Sequence, residues 1–75
     1  MNAKEWIAAY AAELGVEPPT ATEFATLLDL AGEAAHSSER VAAPVACWLS
    51  ARAGRPPDES LAIARRIPGG GAGVG

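Results

Sequence analysis

Apolar residues recur at helical spacing in four segments of the chain, which predicts four helices. The first segment has one apolar stripe along residues 3–14, made of Trp6, Ile7, Tyr10 and Leu14. Asn2 is a suitable N-cap for this helix, and Gly15 stands where a left-handed residue favours the helix end. The Pro18-Pro19 pair prevents the helix from continuing.

The second segment begins with a capping signal. Thr20 and Glu23 fit a capping box, in which each side chain accepts a hydrogen bond from the backbone N–H of the other residue. The helix is expected to reach His36 or slightly beyond, because Ser37 and Ser38 weaken it there. Its predicted inward face consists of Phe24, Leu27, Leu28, Ala31 and Ala35.

Two shorter helices follow. Pro44 is tolerated only in a first turn, so the third helix is expected to begin near Val41, with Ser38 or a neighbour as its cap. Its apolar positions are Val41, Val45, Trp48 and Leu49, and Gly54 is expected to end it. Asp58 is expected to cap the fourth helix. This helix has Leu61, Ile63, Ala64 and Ile67 facing inward, and Pro68 stops it.

These segments predict an all-α domain, a small three- to four-helix bundle over residues 1–67, followed by a flexible glycine-rich tail over residues 68–75. Eighteen of the apolar residues are Ala, which favours helix but contributes little buried area. We therefore expect the few large side chains, including Trp6 and Trp48, to form one small core.

Charge is divided unevenly along the chain, whose net charge is −3. Residues 1–39 carry one Lys and seven acidic residues, whereas residues 40–75 carry five Arg and two acidic residues. An acidic chain argues against non-specific binding to nucleic acid, which requires a basic face. The two halves either attract each other or orient the domain on a partner.

Nothing in the sequence predicts a membrane span or an exported protein. No apolar run approaches the roughly 20 residues that cross a bilayer. The N-terminal residues lack a cationic segment followed by an uninterrupted apolar core, so we expect no signal peptide. The single cysteine suits a reducing compartment, which predicts a cytoplasmic protein.

Candidate chemistry is sparse. Cys47 has no second cysteine and no adjacent histidine base, so a buried, inert thiol is expected rather than a nucleophile. The spacing of Glu33 and His36 matches one half of a carboxylate-bridged di-iron motif, but the other half is missing. We expect no catalytic residue, no metal site and no cofactor, and hence a protein that is not an enzyme.

One constellation of ionisable residues stands out: Asp29, Glu33, His36 and Arg40. On a continuous helix these residues form one stripe, roughly opposite the predicted apolar face. The stripe is either a solvated face with weak ion pairs of about 0.2–0.5 kcal/mol each, or a binding surface. In the second case, His36 and Arg40 would contact an anion or a carboxylate of a partner. These four residues are the candidate residues for binding a partner or ligand.

The run LLDLAGEAAHSSERVAAPVACWL at residues 27–49 resembles a small actinobacterial helical domain of unknown function. That domain occurs alone or fused to the molybdenum cofactor guanylyltransferase, which makes molybdopterin guanine dinucleotide. The matching positions are Leu28, Asp29, Leu30, Ala31, Ala35, His36, Arg40, Ala42, Ala43, Pro44, Trp48 and Leu49. Trp6 and Leu14-Gly15 also resemble the start of that domain.

The resemblance implies a context rather than a mechanism. We expect a non-catalytic accessory or protein-interaction module associated with molybdenum cofactor biosynthesis. Its expected partner is the guanylyltransferase or a molybdoenzyme maturation factor. Two alternatives stay open: a domain that binds a small anionic ligand, with Arg40 and the start of the third helix holding a phosphate, and a structural domain that associates with itself as a homodimer.

Overall fold

The computed structural model describes residues 1–68, which form four α-helices and no strand, so the predicted all-α fold is confirmed. The helices are α1 (Ala3–Leu14), α2 (Ala21–Ser37), α3 (Ala42–Ala53) and α4 (Pro57–Ala64). The predicted glycine-rich tail, apart from Pro68, lies outside the described residues.

The ends of α1 and α2 agree with the capping signals. The Thr20 side chain accepts from the Glu23 backbone N–H, and the Glu23 carboxylate accepts from the Thr20 N–H. Asn2 and Glu5 form a second capping box at the start of α1. Both predicted glycine caps are left-handed, Gly15 with φ 80° and Gly54 with φ 72°. Local chemistry therefore sets these boundaries without help from tertiary packing.

The predicted start of α3 near Val41 is confirmed, but the predicted caps of α3 and α4 are wrong. No side chain caps α3, whose N-cap is Val41, because the Ser38 hydroxyl donates instead to the Ala34 carbonyl at 2.7 Å. Helix α4 begins at Pro57, one residue before the predicted cap Asp58. A proline suits the first helical position because its fixed φ is already helical and its missing N–H has no partner there.

Helix α2 is the centre of the fold, since it packs against both α3 and α4. The most buried side chains are few: Ala11, Leu30, Ser50, Ser60 and Leu61. Ser50 on α3 and Ser60 on α4 share a hydrogen bond between their hydroxyls. Small side chains at these contacts let the helix axes approach closely, but they bury little apolar area.

The predicted inward face of α2 is partly wrong. Leu30, which was not assigned to that face, is 3% exposed, whereas Leu28, which was, is 61% exposed. Apolar residues occupy two neighbouring stripes of α2, and α3 and α4 cover the stripe that contains Leu30. The other stripe keeps Leu28 at the surface, with Phe24, Ala31 and Ala35 half-buried.

The prediction that both tryptophans lie in the core is also wrong, because Trp6 and Trp48 are each more than half exposed. Helix α3 has the reverse of the expected orientation. Its half-buried and buried side chains are the small ones: Ala42, Ala43, Ala46, Cys47 and Ser50. Its large side chains are exposed: Val45, Trp48 and Leu49. The small side chains of α3 therefore face the body of the protein, and the large ones face outward.

Helix α1 lies at the edge of the fold and contacts the beginning of α2. Ile7 and Phe24 line the same small depression between the two helices. The Lys4 ammonium lies 5.8 Å from the centroid of the Phe24 ring, within the range of a cation–π interaction. The two aromatic residues of α1, Trp6 and Tyr10, stack on each other at the surface with centroids 5.1 Å apart.

Leu30 and Leu28 form a matched pair for testing the orientation of α2. Replacing Leu30 by Ala should lower the free energy of unfolding by about 2–5 kcal/mol, because it leaves a cavity in the small core. Replacing Leu28 by Ala should lower the free energy of unfolding by less than about 1 kcal/mol, since that side chain is mostly in water. Urea unfolding followed by circular dichroism measures the free energy of unfolding of both variants. Equal losses of stability in the two variants would contradict the described orientation of α2.

Candidate interaction surface

A groove lies at the corner where the end of α2, the start of α3 and the end of α4 meet. It encloses about 570 Å³ and is open to solvent. Its apolar wall is made of Ala34, Val41, Ala42, Ala46, Ala64, Ile67 and Pro68, and its polar residues are Glu33, Ser37, Ser38 and Glu39. Val41 and Ile67 are both largely exposed. We call this feature the corner groove.

The charged residues that line the corner groove are both acidic. The Glu33 carboxylate is half-buried and accepts a hydrogen bond from the Ser37 hydroxyl at 3.0 Å. In residues 1–68 the one ion pair joins Arg55 to Glu59, so no described cation neutralises Glu33. A half-buried carboxylate without a cationic partner can pair with a Lys or Arg of a ligand.

Three of the four residues predicted to share one stripe, Asp29, Glu33 and His36, lie on one face of α2. Asp29 and His36 are exposed on α2, as a solvated face requires, whereas Glu33 turns toward the corner groove. Helix α2 ends at Ser37, so Arg40 lies in the turn before α3 and not on a continuous helix with the others. The predicted stripe therefore holds for the three residues on α2 and is wrong for Arg40.

Sequence reasoning missed the apolar residues of this groove. Val41 and Ile67 were assigned to helix faces, but Val41 is the N-cap of α3 and Ile67 follows the end of α4. Their signal in the sequence is a large apolar side chain directly beside a helix end. Such a residue does not lie on the inward stripe of its helix, so its side chain can line a groove between two elements.

Cys47 is half-buried against α2, with its Sγ 3.9 Å from the carbonyl oxygen of Leu27. Burial raises the pKa of the Cys47 thiol above its ordinary value, because the thiolate would be poorly solvated there. A thiol in this state is a poor nucleophile at neutral pH.

Within residues 1–68, no three side chains of His, Cys, Asp or Glu come together in a way that could hold a metal ion. None of the four described helices has both the length and the apolar character needed to cross a bilayer. The corner groove and the exposed aromatic residues of α1 and α3 are the surface features that call for a functional explanation.

The fold and surface define a small all-α domain with a very small core and several exposed large apolar side chains. A family model described as "Domain of unknown function (DUF6457)" matches residues 1–67. The chain therefore belongs to the DUF6457 family. No curated protein and no solved structure matched the chain in the corresponding searches.

The environment of Cys47 predicts slow alkylation. At pH 8 iodoacetamide should modify the thiol more slowly in the folded protein than in the same chain unfolded in urea. The raised pKa lowers the thiolate fraction, and α2 shields the sulfur. The difference between the alkylation rates of the folded and the unfolded chain should become smaller as the pH rises through the pKa of Cys47 in the folded protein. Mass spectrometry over time measures both rates, and equal rates would show that Cys47 is not shielded.

Proposed function

We propose that this domain is a non-catalytic accessory module that binds another protein in the cytoplasm. The partner is the molybdenum cofactor guanylyltransferase or a molybdoenzyme maturation factor. This context is supported by the resemblance of residues 27–49 to a domain that occurs fused to that enzyme. The binding role is supported by one observation above all, the corner groove with its apolar wall and acidic rim.

The chemistry of the groove favours a protein segment as its occupant. Val41 and Ile67 offer apolar contact area that is largely in water, and covering such area stabilises a complex by about 25 cal/mol per Å² before ordering costs are subtracted. Glu33 offers a carboxylate to a Lys or Arg of the partner. An apolar segment with one basic residue fits both features.

His36 and Arg40 are adjacent in sequence to residues that line the corner groove, namely Ser37, Glu39 and Val41. Both side chains are exposed, so they can meet acidic residues of the partner without a large desolvation cost. Exposed ion pairs contribute about 0–1 kcal/mol each, so these residues steer and orient the partner more than they hold it.

The alternative of a phosphate held by Arg40 at the start of α3 stays a prediction. The acidic lining of the neighbouring groove does not favour it, because Glu33 and Glu39 would repel a phosphate that entered.

A binding experiment with the purified guanylyltransferase of the same organism tests the proposal. The native domain should bind the immobilised enzyme. Val41→Asp should weaken the affinity about tenfold or more, which corresponds to 1.4 kcal/mol or more. Replacing His36 and Arg40 together by Ala should weaken it a few-fold, with the helical circular dichroism unchanged. Leu28→Ala, on another face, is the matched control and should bind as the native domain does.

Two outcomes would overturn parts of the proposal. If the native domain binds neither the guanylyltransferase nor a purified maturation factor at micromolar concentration, the molybdenum cofactor context is wrong. If binding occurs but Val41→Asp and the double variant bind as well as the native domain, the corner groove is not the site.

A further inference from the structure

Besides the corner groove, two helix faces remain uncovered in the described part of the chain. The outer face of α3 presents Val45, Trp48 and Leu49, each a little over half exposed. The outer face of α1 presents Trp6 and Tyr10, which stack on each other and are about half exposed. Aromatic residues of this size are the commonest anchors of protein interfaces.

The two faces match in length. Helices α1 and α3 have 12 residues each, which is about 18 Å at 1.5 Å per residue. Each face has aromatic rings near its middle and a charged residue toward its C-terminal end, namely Glu13 on α1 and Arg52 on α3.

The charges on the two faces are complementary. The Arg52 guanidinium lies over the Trp48 ring, 5.1 Å from its centroid, and has no carboxylate partner among the described residues. If α1 of one molecule lies parallel to α3 of another, Glu13 comes beside Arg52. An antiparallel arrangement would instead place Glu13 at the opposite end of α3 from Arg52. The acidic first half and basic second half of the chain favour the same pairing of α1 with α3.

We propose that a second copy of this chain covers both faces, with α1 of each copy packed along α3 of the other. A two-fold dimer uses the same pair of surfaces twice, so one contact geometry covers all four faces. Trp6, Tyr10 and Trp48 are each about half exposed. Because such side chains bury about 150–250 Å² when fully covered, the six in a dimer would contribute roughly 450–750 Å² of an interface of about 1,600 Å².

The dimer and the proposed function rest on different residues and on different measurements. The two surfaces adjoin, because Leu49 of the α3 face and Ile67 of the corner groove line one depression. The control for each surface is therefore a residue that belongs to neither, Leu28 on α2.

Sedimentation equilibrium of the full chain tests the dimer. The native protein should have a mass of twice 7.6 kDa in the micromolar range. Trp48→Ala should raise the dimer dissociation constant about tenfold or more, as expected of a central aromatic anchor. Leu28→Ala, which shortens a similarly exposed apolar side chain on α2, should leave the dissociation constant unchanged.

A charge exchange identifies which helices meet. Glu13→Arg and Arg52→Glu should each weaken the dimer several-fold, because each places like charges together. The double variant should recover most of the native affinity. Circular dichroism confirms that each variant is folded.

Three results would overturn the dimer: a native chain that is monomeric throughout the micromolar range, a dimer that Trp48→Ala leaves intact, or a charge exchange without recovery. None of these bears on binding of the guanylyltransferase. Conversely, loss of that binding in Val41→Asp says nothing about the dimer, so the two proposals can fail separately.

Discussion

The close approach of α2, α3 and α4 depends on the small side chains that line their contacts. Ala46 and Ser50 on α3 face the body of the protein, and the Ser50 hydroxyl meets that of Ser60 on α4. Short side chains permit this packing, but they remove little apolar surface from water. Leu30 and Leu61 are the only large side chains that are buried in residues 1–68. The stability of the isolated chain therefore rests on a very small core and on well-made helix caps.

The small side chains at the helix contacts also determine which residues lie at the surface. Since the interior has no room for the large side chains of α3, Val45, Trp48 and Leu49 lie outside. A domain of this size buries only about 60% of the surface of its unfolded chain, and this one leaves much of its large apolar area uncovered. We propose that association covers this surface, with a second copy along α1 and α3 and another protein at the corner groove.

The sequence was sufficient to predict what depends on neighbouring residues. Helix ends at Asn2, Thr20, Gly15 and Gly54 follow from local hydrogen bonds and backbone preferences, and so does the all-α class. The orientation of each helix was not predictable in this way. Helix α2 has two apolar stripes, and periodicity alone does not say which one its neighbours cover. For α3, the usual expectation that large residues lie inside failed because close helix contacts select small ones. The corner groove was missed because its apolar residues come from three separate elements, and Arg40 was misplaced because α2 ends at Ser37.

The accessibility of Trp48 to solvent tests the orientation of α3 most directly. Replacing Trp6 by Phe leaves Trp48 as the single tryptophan of the chain. At the lowest concentration that fluorescence permits, where a dimer has dissociated, Trp48 should emit at the long wavelength of a hydrated indole. Acrylamide should then quench it nearly as well as in the chain unfolded in urea. A short-wavelength emission that resists quenching in the dilute, folded protein would show that Trp48 faces inward, which would contradict the described packing and both proposals drawn from it.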